Sequence, residues 1–228
     1  MDDIVKQALA RWPNVPHCTG WLLLDARGNW RMRDEAAQAQ NAPGTAIRHE
    51  ALLGFINRNY ERDEQGQWYF QNGPQRVYVE LEYTPWIARL AAGHDGGEGA
   101  LTLTDQAGQP FEPVAAYLDE AGSVIFADGG TPPRAALLHD HDLDLFSDHA
   151  TLADDAHSGT FHWRADAALP LQPIKRADVS ARFAFVPSPA LAEREAQGAA
   201  HADDPSPERE GQAPQPRPSS FASSRSCL

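Results

Sequence analysis

The sequence predicts an α+β fold, mainly antiparallel sheet, built as two similar hairpin-helix-hairpin halves and followed by a disordered C-terminal tail. Three observations carry this expectation. Four stretches share the order Asp, two variable residues, Gly: Asp25–Gly28, Asp63–Gly66, Asp105–Gly108 and Asp119–Gly122. An Asp at the head of a turn accepts backbone hydrogen bonds and a Gly supplies the positive φ that closes it, so each stretch marks a hairpin tip or a helix-to-strand turn. The interval from Gly28 to Gly66 nearly equals that from Gly122 to Gly159, which indicates two copies of one supersecondary unit. From residue 190 onward the composition turns to Pro, Ser and charge, with Phe221 as the only aromatic, and such a segment cannot offset its ordering entropy by burial. The expected division is residues 1–92, 93–189 and a tail over 190–228.

The elements follow in order. Gly20–Leu24 and Asn29–Met32 flank the first turn and are rich in strand formers. The best helix spans Ile47–Tyr60, where Ile47, Ala51, Leu52, Phe55 and Ile56 share a face at helical spacing. Trp68–Phe70, the turn Gln71–Pro74 and a strand Arg76–Tyr83 complete the first half. In that strand Val77, Val79 and Leu81 alternate with Arg76, Tyr78, Glu80 and Glu82, so one face is buried and the other polar. Strands Trp86–Ala91 and Ala100–Thr104 join the halves across a Gly-rich tip, Gly93–Gly99. The second half repeats the order more weakly: Val124–Phe126 after the Asp119 turn, a helix over Asp142–Leu152, a strand Thr160–Trp163, and a closing strand Ala181–Val186.

Within the first half, Ala46-Ile-Arg-His-Glu-Ala-Leu-Leu-Gly-Phe55, Asp63-Glu-Gln-Gly-Gln-Trp-Tyr-Phe70 and Arg76-Val-Tyr-Val-Glu-Leu-Glu-Tyr-Thr-Pro85 resemble the bacterial domain of unknown function 1285 family. The resemblance is best over residues 20–87 and reaches the second half through architecture alone. It implies two α+β halves built from a repeated motif and a link to signalling, and it brings no assigned activity. The chain departs from the family pattern at Asn72–Gln75, at His49 and at Tyr83.

Composition excludes several functional classes. With 32 acidic against 19 basic residues, the net charge of −13 repels nucleic acid and anionic membranes. No window carries the ~18 apolar residues of a membrane span, so the expected localisation is cytoplasmic. Two cysteines, Cys18 and Cys227, build neither a disulfide framework nor a cysteine zinc site. Phosphate-binding and dinucleotide-binding glycine motifs and the Gly-x-Ser-x-Gly elbow are absent, and no cofactor is expected. Cys18 and His17 are neighbours on a strand, so their side chains point apart.

Three functional classes are in contention. The leading one is a non-enzymatic small-ligand-binding or regulatory protein. Its candidate site is the polar strand face Arg76, Tyr78, Glu80 and Glu82, which offers both charges and a stacking ring to a zwitterionic or sugar-like ligand. The alternative is a metal-dependent hydrolase using His139, His141 and Asp144, set against an acidic helix start whose carboxylates favour the free amides and the dipole. A protein-binding adaptor acting through exposed tryptophans and the tail is the third.

Overall fold

The computed structural model describes residues 1–93, 101–154, 157–164 and 167–202. The Gly93–Gly99 tip beyond residue 93 and the tail beyond residue 202 lie outside the described residues. A short helix α1 (Asp3–Arg11) precedes strands β1 (Cys18–Leu24) and β2 (Trp30–Met32), helix α2 (Glu35–Ala39), strand β3 (Thr45–Ala46) and helix α3 (Glu50–Arg58). Strands β4 (Tyr60–Arg62), β5 (Trp68–Asn72) and β6 (Gln75–Leu81) follow, and then the hairpin β7 (Trp86–Ala92) and β8 (Leu101–Thr104). The second half runs β9 (Pro113–Leu118), β10 (Val124–Asp128), β11 (Ala135–Leu138), α4 (Leu143–Asp148), β12 (Ala150–Leu152), β13 (Gly159–Arg164) and β14 (Ala167–Pro173). Helices α5 (Val179–Arg182) and α6 (Pro189–Ala202) close the described chain.

The strands form two sheets. The first is six-stranded in the order β3-β2-β1-β6-β5-β4; the second is eight-stranded in the order β12-β13-β14-β9-β10-β11-β7-β8. Raising each strand number of the first sheet by eight reproduces six strands of the second in the same neighbour order. Helix α3 between β3 and β4 corresponds to α4 between β11 and β12. The repeat extends to strand direction: β1 runs parallel to β6, and β9 runs parallel to β14. Both sheets are therefore mixed, with β11–β7 as a further parallel pair. The chain changes sheet between Leu81 and Trp86. Strand β7, which the division at residue 92 assigns to the first half, is hydrogen-bonded into the second sheet.

All four Asp-x-x-Gly stretches are turns built alike. One carboxylate oxygen, Oδ1, accepts the amides two and four residues ahead: Arg27 and Asn29 at Asp25, Gln65 and Gln67 at Asp63, Ala107 and Gln109 at Asp105, Ala121 and Ser123 at Asp119. The closing glycines have φ between 75° and 86°, which a side chain would oppose. The other oxygen, Oδ2, stays available for a second partner, and that partner differs at each turn.

Two hydrophobic clusters surround the second sheet. Leu22, Val79, Phe70 and Ile56 of the first half pack with Ile125, Ala127, Leu137, Phe183 and Phe185, so this core joins the halves. Val124, Phe126, Ala136 and Leu138 face the other way, onto Phe146, Phe161 and Phe111. Strands β10 and β11 are apolar on both faces because both faces are covered.

Four local expectations are corrected. Helix α3 begins at Glu50 with His49 as its cap, since the His49 ring nitrogen accepts from the Leu52 amide. The helix expected over Asp142–Leu152 is a 3-10 turn Asp140–Asp142 with α4, and Ala150–Leu152 pairs with β13 instead. Ala181–Val186 forms no strand: its alternating burial arises because Phe183 and Phe185 both enter the core while Ala184 takes a positive φ of 53°. Finally, the segment from residue 190 begins as a docked helix, α6, over Pro189–Ala202.

Candidate functional site

Strand alternation places Arg76, Tyr78, Glu80 and Glu82 on one face, yet their environments differ. Arg76 lies over the Tyr69 ring at 4.6 Å, and the Tyr78 hydroxyl donates to Asp63 Oδ2 at 3.2 Å. Glu80 is 6% exposed, because α6 covers it. Its Oε2 accepts from the Ser188 hydroxyl and its Oε1 from the Ala190 amide at 3.1 Å. Ser188 in turn accepts the Leu191 amide, so a helix N-cap and a sheet carboxylate hold one another. Exposed Glu82 accepts the Ala26 amide at 2.9 Å. Arg76 and Glu82 are about 20 Å apart along an extended strand, beyond the span of one small ligand.

Glu80 and Glu82 line a groove of about 1180 Å³ on the outer face of the first sheet. Arg76 and Tyr78 lie outside it. Its floor is Thr19, Gly20 and Leu23 of β1 with Leu81, and one wall is Arg31, Arg33, Gln38 and Asn41 from β2 and the α2 segment. The opposite wall is Ala190, Leu191, Glu193, Arg194 and Gln197 of α6. Arg31 and Arg33 alternate along β2 and the chain after it, which carries both toward the groove. Arg31 donates to the Gly44 carbonyl at 2.8 Å and meets Asp25 Oδ2 at 3.3 Å. Arg33, 5% exposed, donates to the Ala42 carbonyl and to Asn41. Thr19 donates to Glu193 at 2.8 Å and fixes α6 from the other side. The groove thus brings the Arg31–Asp25 ion pair and the nearly buried Arg33 together with the exposed carboxylate of Glu82. The strand pattern points to the two glutamates, while the arginines of the β2 segment carry no signal beyond their two-residue spacing.

The histidine cluster has a different composition from the expected one. His139, Asp140 and His141 place ligand-capable atoms within 4.8 Å of one another; Asp144 is in the first turn of α4, outside that group. The group is already internally engaged. His139 Nδ1 accepts the His141 amide at 3.1 Å, and Arg27 holds Asp140 through two hydrogen bonds. Burial and the nearby Arg89 keep His139 below its ordinary pKa. Asp142 receives Arg89 in a paired contact and the Leu90 amide. Burial pushes its carboxyl upward, but these hydrogen bonds prevail and hold it below the usual carboxylate range. The arrangement is a capped 3-10 turn stapled to β7 and to the Asp25 turn.

The two halves meet at a third polar group. Tyr83, in the crossing between the sheets, donates to Asp119 Oδ2 at 2.9 Å, while Arg176 stacks on the Tyr83 ring at 3.8 Å and approaches Asp119 at 3.6 Å. Burial, and then the bond to Asp119, raise the Tyr83 pKa. Of the six tryptophans expected to fill core or sheet edge, Trp30, Trp68 and Trp163 are buried and Trp12 is 50% exposed.

With this geometry in view, comparison with known proteins gives a family. The chain is similar to a solved structure of a DUF1285 family protein from Silicibacter pomeroyi DSS-3, 18% identical with a TM-score of 0.46, over 75% of this chain and 96% of that one. A DUF1285 family protein from Shewanella baltica OS155 is 14% identical with a TM-score of 0.38 over 57% of this chain and 91% of its own. These carry the family that the first-half motifs resemble. The family model that matches the sequence directly is a different one, described as Protein of unknown function (DUF2946), over residues 1–190, and the chain belongs to that family. No curated protein matches. No helix among the described residues is long and apolar enough to cross a membrane.

Proposed function

We infer that this protein binds a small ligand in the groove of its first half and acts as a cytoplasmic regulatory protein rather than through catalysis. The supporting observation is the groove itself: Arg31 and Arg33 are held in place by backbone carbonyls, Arg31 is also paired with Asp25, Glu82 is exposed in the same lining, and α6 is pinned over the edge by Glu80. Preorganised charges of both signs suit a ligand that carries both, such as a free amino acid or a short zwitterion. The hydrolase reading is weaker, because Asp144 stands outside the histidine group, His139 Nδ1 caps the 3-10 turn and Asp140 is held by Arg27.

A thermal-shift panel of zwitterionic amino acids, monocarboxylates, amines and neutral sugars tests this reading. A ligand present at 100 times its Kd adds ~2.7 kcal/mol of stability. The expected result is a saturable rise in melting temperature for zwitterions above singly charged analogues, reduced in Glu82→Gln. Failure of every panel member at millimolar concentration would overturn it.

A further inference from the structure

Most charged side chains that line the groove are spent within the protein. Arg31 is tied to the Gly44 carbonyl and to Asp25, Arg33 to the Ala42 carbonyl and Asn41, Glu80 to the start of α6, and Glu193 to Thr19. Two are not. Arg194 donates its Nε–H to the Ala190 carbonyl one turn back at 3.1 Å, and both terminal nitrogens of this exposed guanidinium are without a partner among the described residues. Glu82, also exposed, gives Oε2 to the Ala26 amide, and its Oε1 is without a partner among the described residues.

These two free charges stand toward opposite ends of the groove. Helix α6 begins over Glu80, through the Ala190 amide, and three residues later reaches Thr19 through Glu193. Glu80 pairs with Leu23 in the parallel β1–β6 ladder, so the helix runs back along β1 from the level of Glu80 toward the start of that strand. Glu82 lies two residues beyond Glu80 the other way. One helical turn in one direction and two strand residues in the other put the backbones of Arg194 and Glu82 roughly 13 Å apart. Around the level of Glu80 the lining is apolar, with half-buried Leu23 on the floor and Leu191, 49% exposed, on the wall. A free α-amino acid, with both charged groups on one carbon, reaches one end at a time. An extended peptide of three residues spans ~10 Å, and the two side chains can lean inward to meet its ends. The groove's volume of about 1180 Å³ fits the longer ligand, since sites for drug-sized molecules hold ~300–1,000 Å³.

We propose that the groove takes a short linear peptide with free ends, its amino terminus on Glu82 Oε1, its carboxylate on the terminal nitrogens of Arg194, and small apolar side chains over Leu23 and Leu191. The proposal rests on the groove reading above and narrows its zwitterion to one whose charges stand a few residues apart. Arg194 is then the residue that selects the carboxylate, and it is supplied by α6.

The test is a calorimetric titration of the full chain with alanine, trialanine, trialanine amide and N-acetyltrialanine. Trialanine should bind about tenfold or more tighter than alanine, and each capped form should lose about tenfold or more, the factor expected when a charge-assisted hydrogen bond is lost. Arg194→Gln, which keeps a good helix former, should bring trialanine down to the affinity of its amide and leave the amide itself unchanged. A merely structural effect on α6 would weaken both. Glu82→Gln should likewise bring trialanine down to N-acetyltrialanine and leave the acetylated form unchanged. Alanine binding as tightly as trialanine, or undiminished trialanine binding in Arg194→Gln, would overturn the proposal and leave the groove reading standing. If neither alanine nor any form of trialanine bound the wild type, the groove reading would fall and the proposal with it.

Discussion

The Asp25 and Asp119 turns are the same device put to different use. In each, Oδ1 closes the turn by accepting two backbone amides. At Asp119 the remaining oxygen takes the Tyr83 hydroxyl and faces Arg176, so the turn becomes a bolt between the halves, 1% exposed. At Asp25 it takes Arg31 and faces the groove. A repeated motif fixes the fold twice; the oxygen left over from the turn is where the copies diverge into interface and open site.

That contrast can be broken by substitution, and Asp119→Ala carries the largest expected effect. It removes the turn acceptor and strands the Tyr83 hydroxyl in the interface, so urea unfolding should show a loss of about 2–4 kcal/mol. Asp25→Ala, which strands no comparably buried partner, should cost roughly 1–2 kcal/mol. Equal losses would erase the distinction between bolt and groove wall.

Next in size is the anchoring of α6. A chain ending at Pro187 loses the Ser188 and Ala190 bonds to Glu80 and the Thr19–Glu193 bond, and uncovers the face of the first sheet that α6 packs on. Relative to a chain ending at Ala202 it should lose about 1–3 kcal/mol, or roughly 2–12 °C in melting temperature for a protein of this size. Glu80→Ala in the longer chain should reproduce most of the loss and lower the helical signal in circular dichroism. An unchanged melting temperature in both would mean that α6 contributes nothing to the body.

The smallest effect is a pH slope. Because the folded pKa of His139 lies below its ordinary value of 6.5, the unfolded chain takes up protons at this residue that the folded chain refuses. Stability should therefore be flat above that value and decline as pH falls through and below it. His139→Gln, which keeps a side-chain acceptor for the His141 amide, should flatten this part of the decline in pH-dependent urea melts. An identical slope in the variant would assign the effect to other groups.

These expectations also show which parts of the molecule the sequence reveals. The four turns, the repeat and the buried face of β6 are legible because each is set by local chemistry: an Asp acceptor, a Gly with positive φ, a two-residue period. The parallel pairing of β1 with β6 is not, since it joins residues some sixty positions apart through no local signal. Helix α6 is half legible. Ser188 followed by Pro189 and a run of good helix formers is a helix start, but its docking depends on Glu80, 108 residues earlier. For the same reason the polar face of β6 reads as one site from sequence, while the structure uses it in three ways, as a stacked Arg76–Tyr69 pair, an α6 anchor and a groove wall. The arginines that complete the groove come from a different hairpin, and nothing in their own neighbourhood marks them.

The most direct measurement is a calorimetric titration of the most stabilising zwitterion from the panel into wild type, Glu82→Gln and Arg76→Ala. The groove account predicts about a tenfold or greater loss of affinity in Glu82→Gln, where one charge is removed and the Ala26 hydrogen bond can persist, and no change in Arg76→Ala. Undiminished binding in Glu82→Gln together with its loss in Arg76→Ala would contradict the account and move the site to the other end of β6.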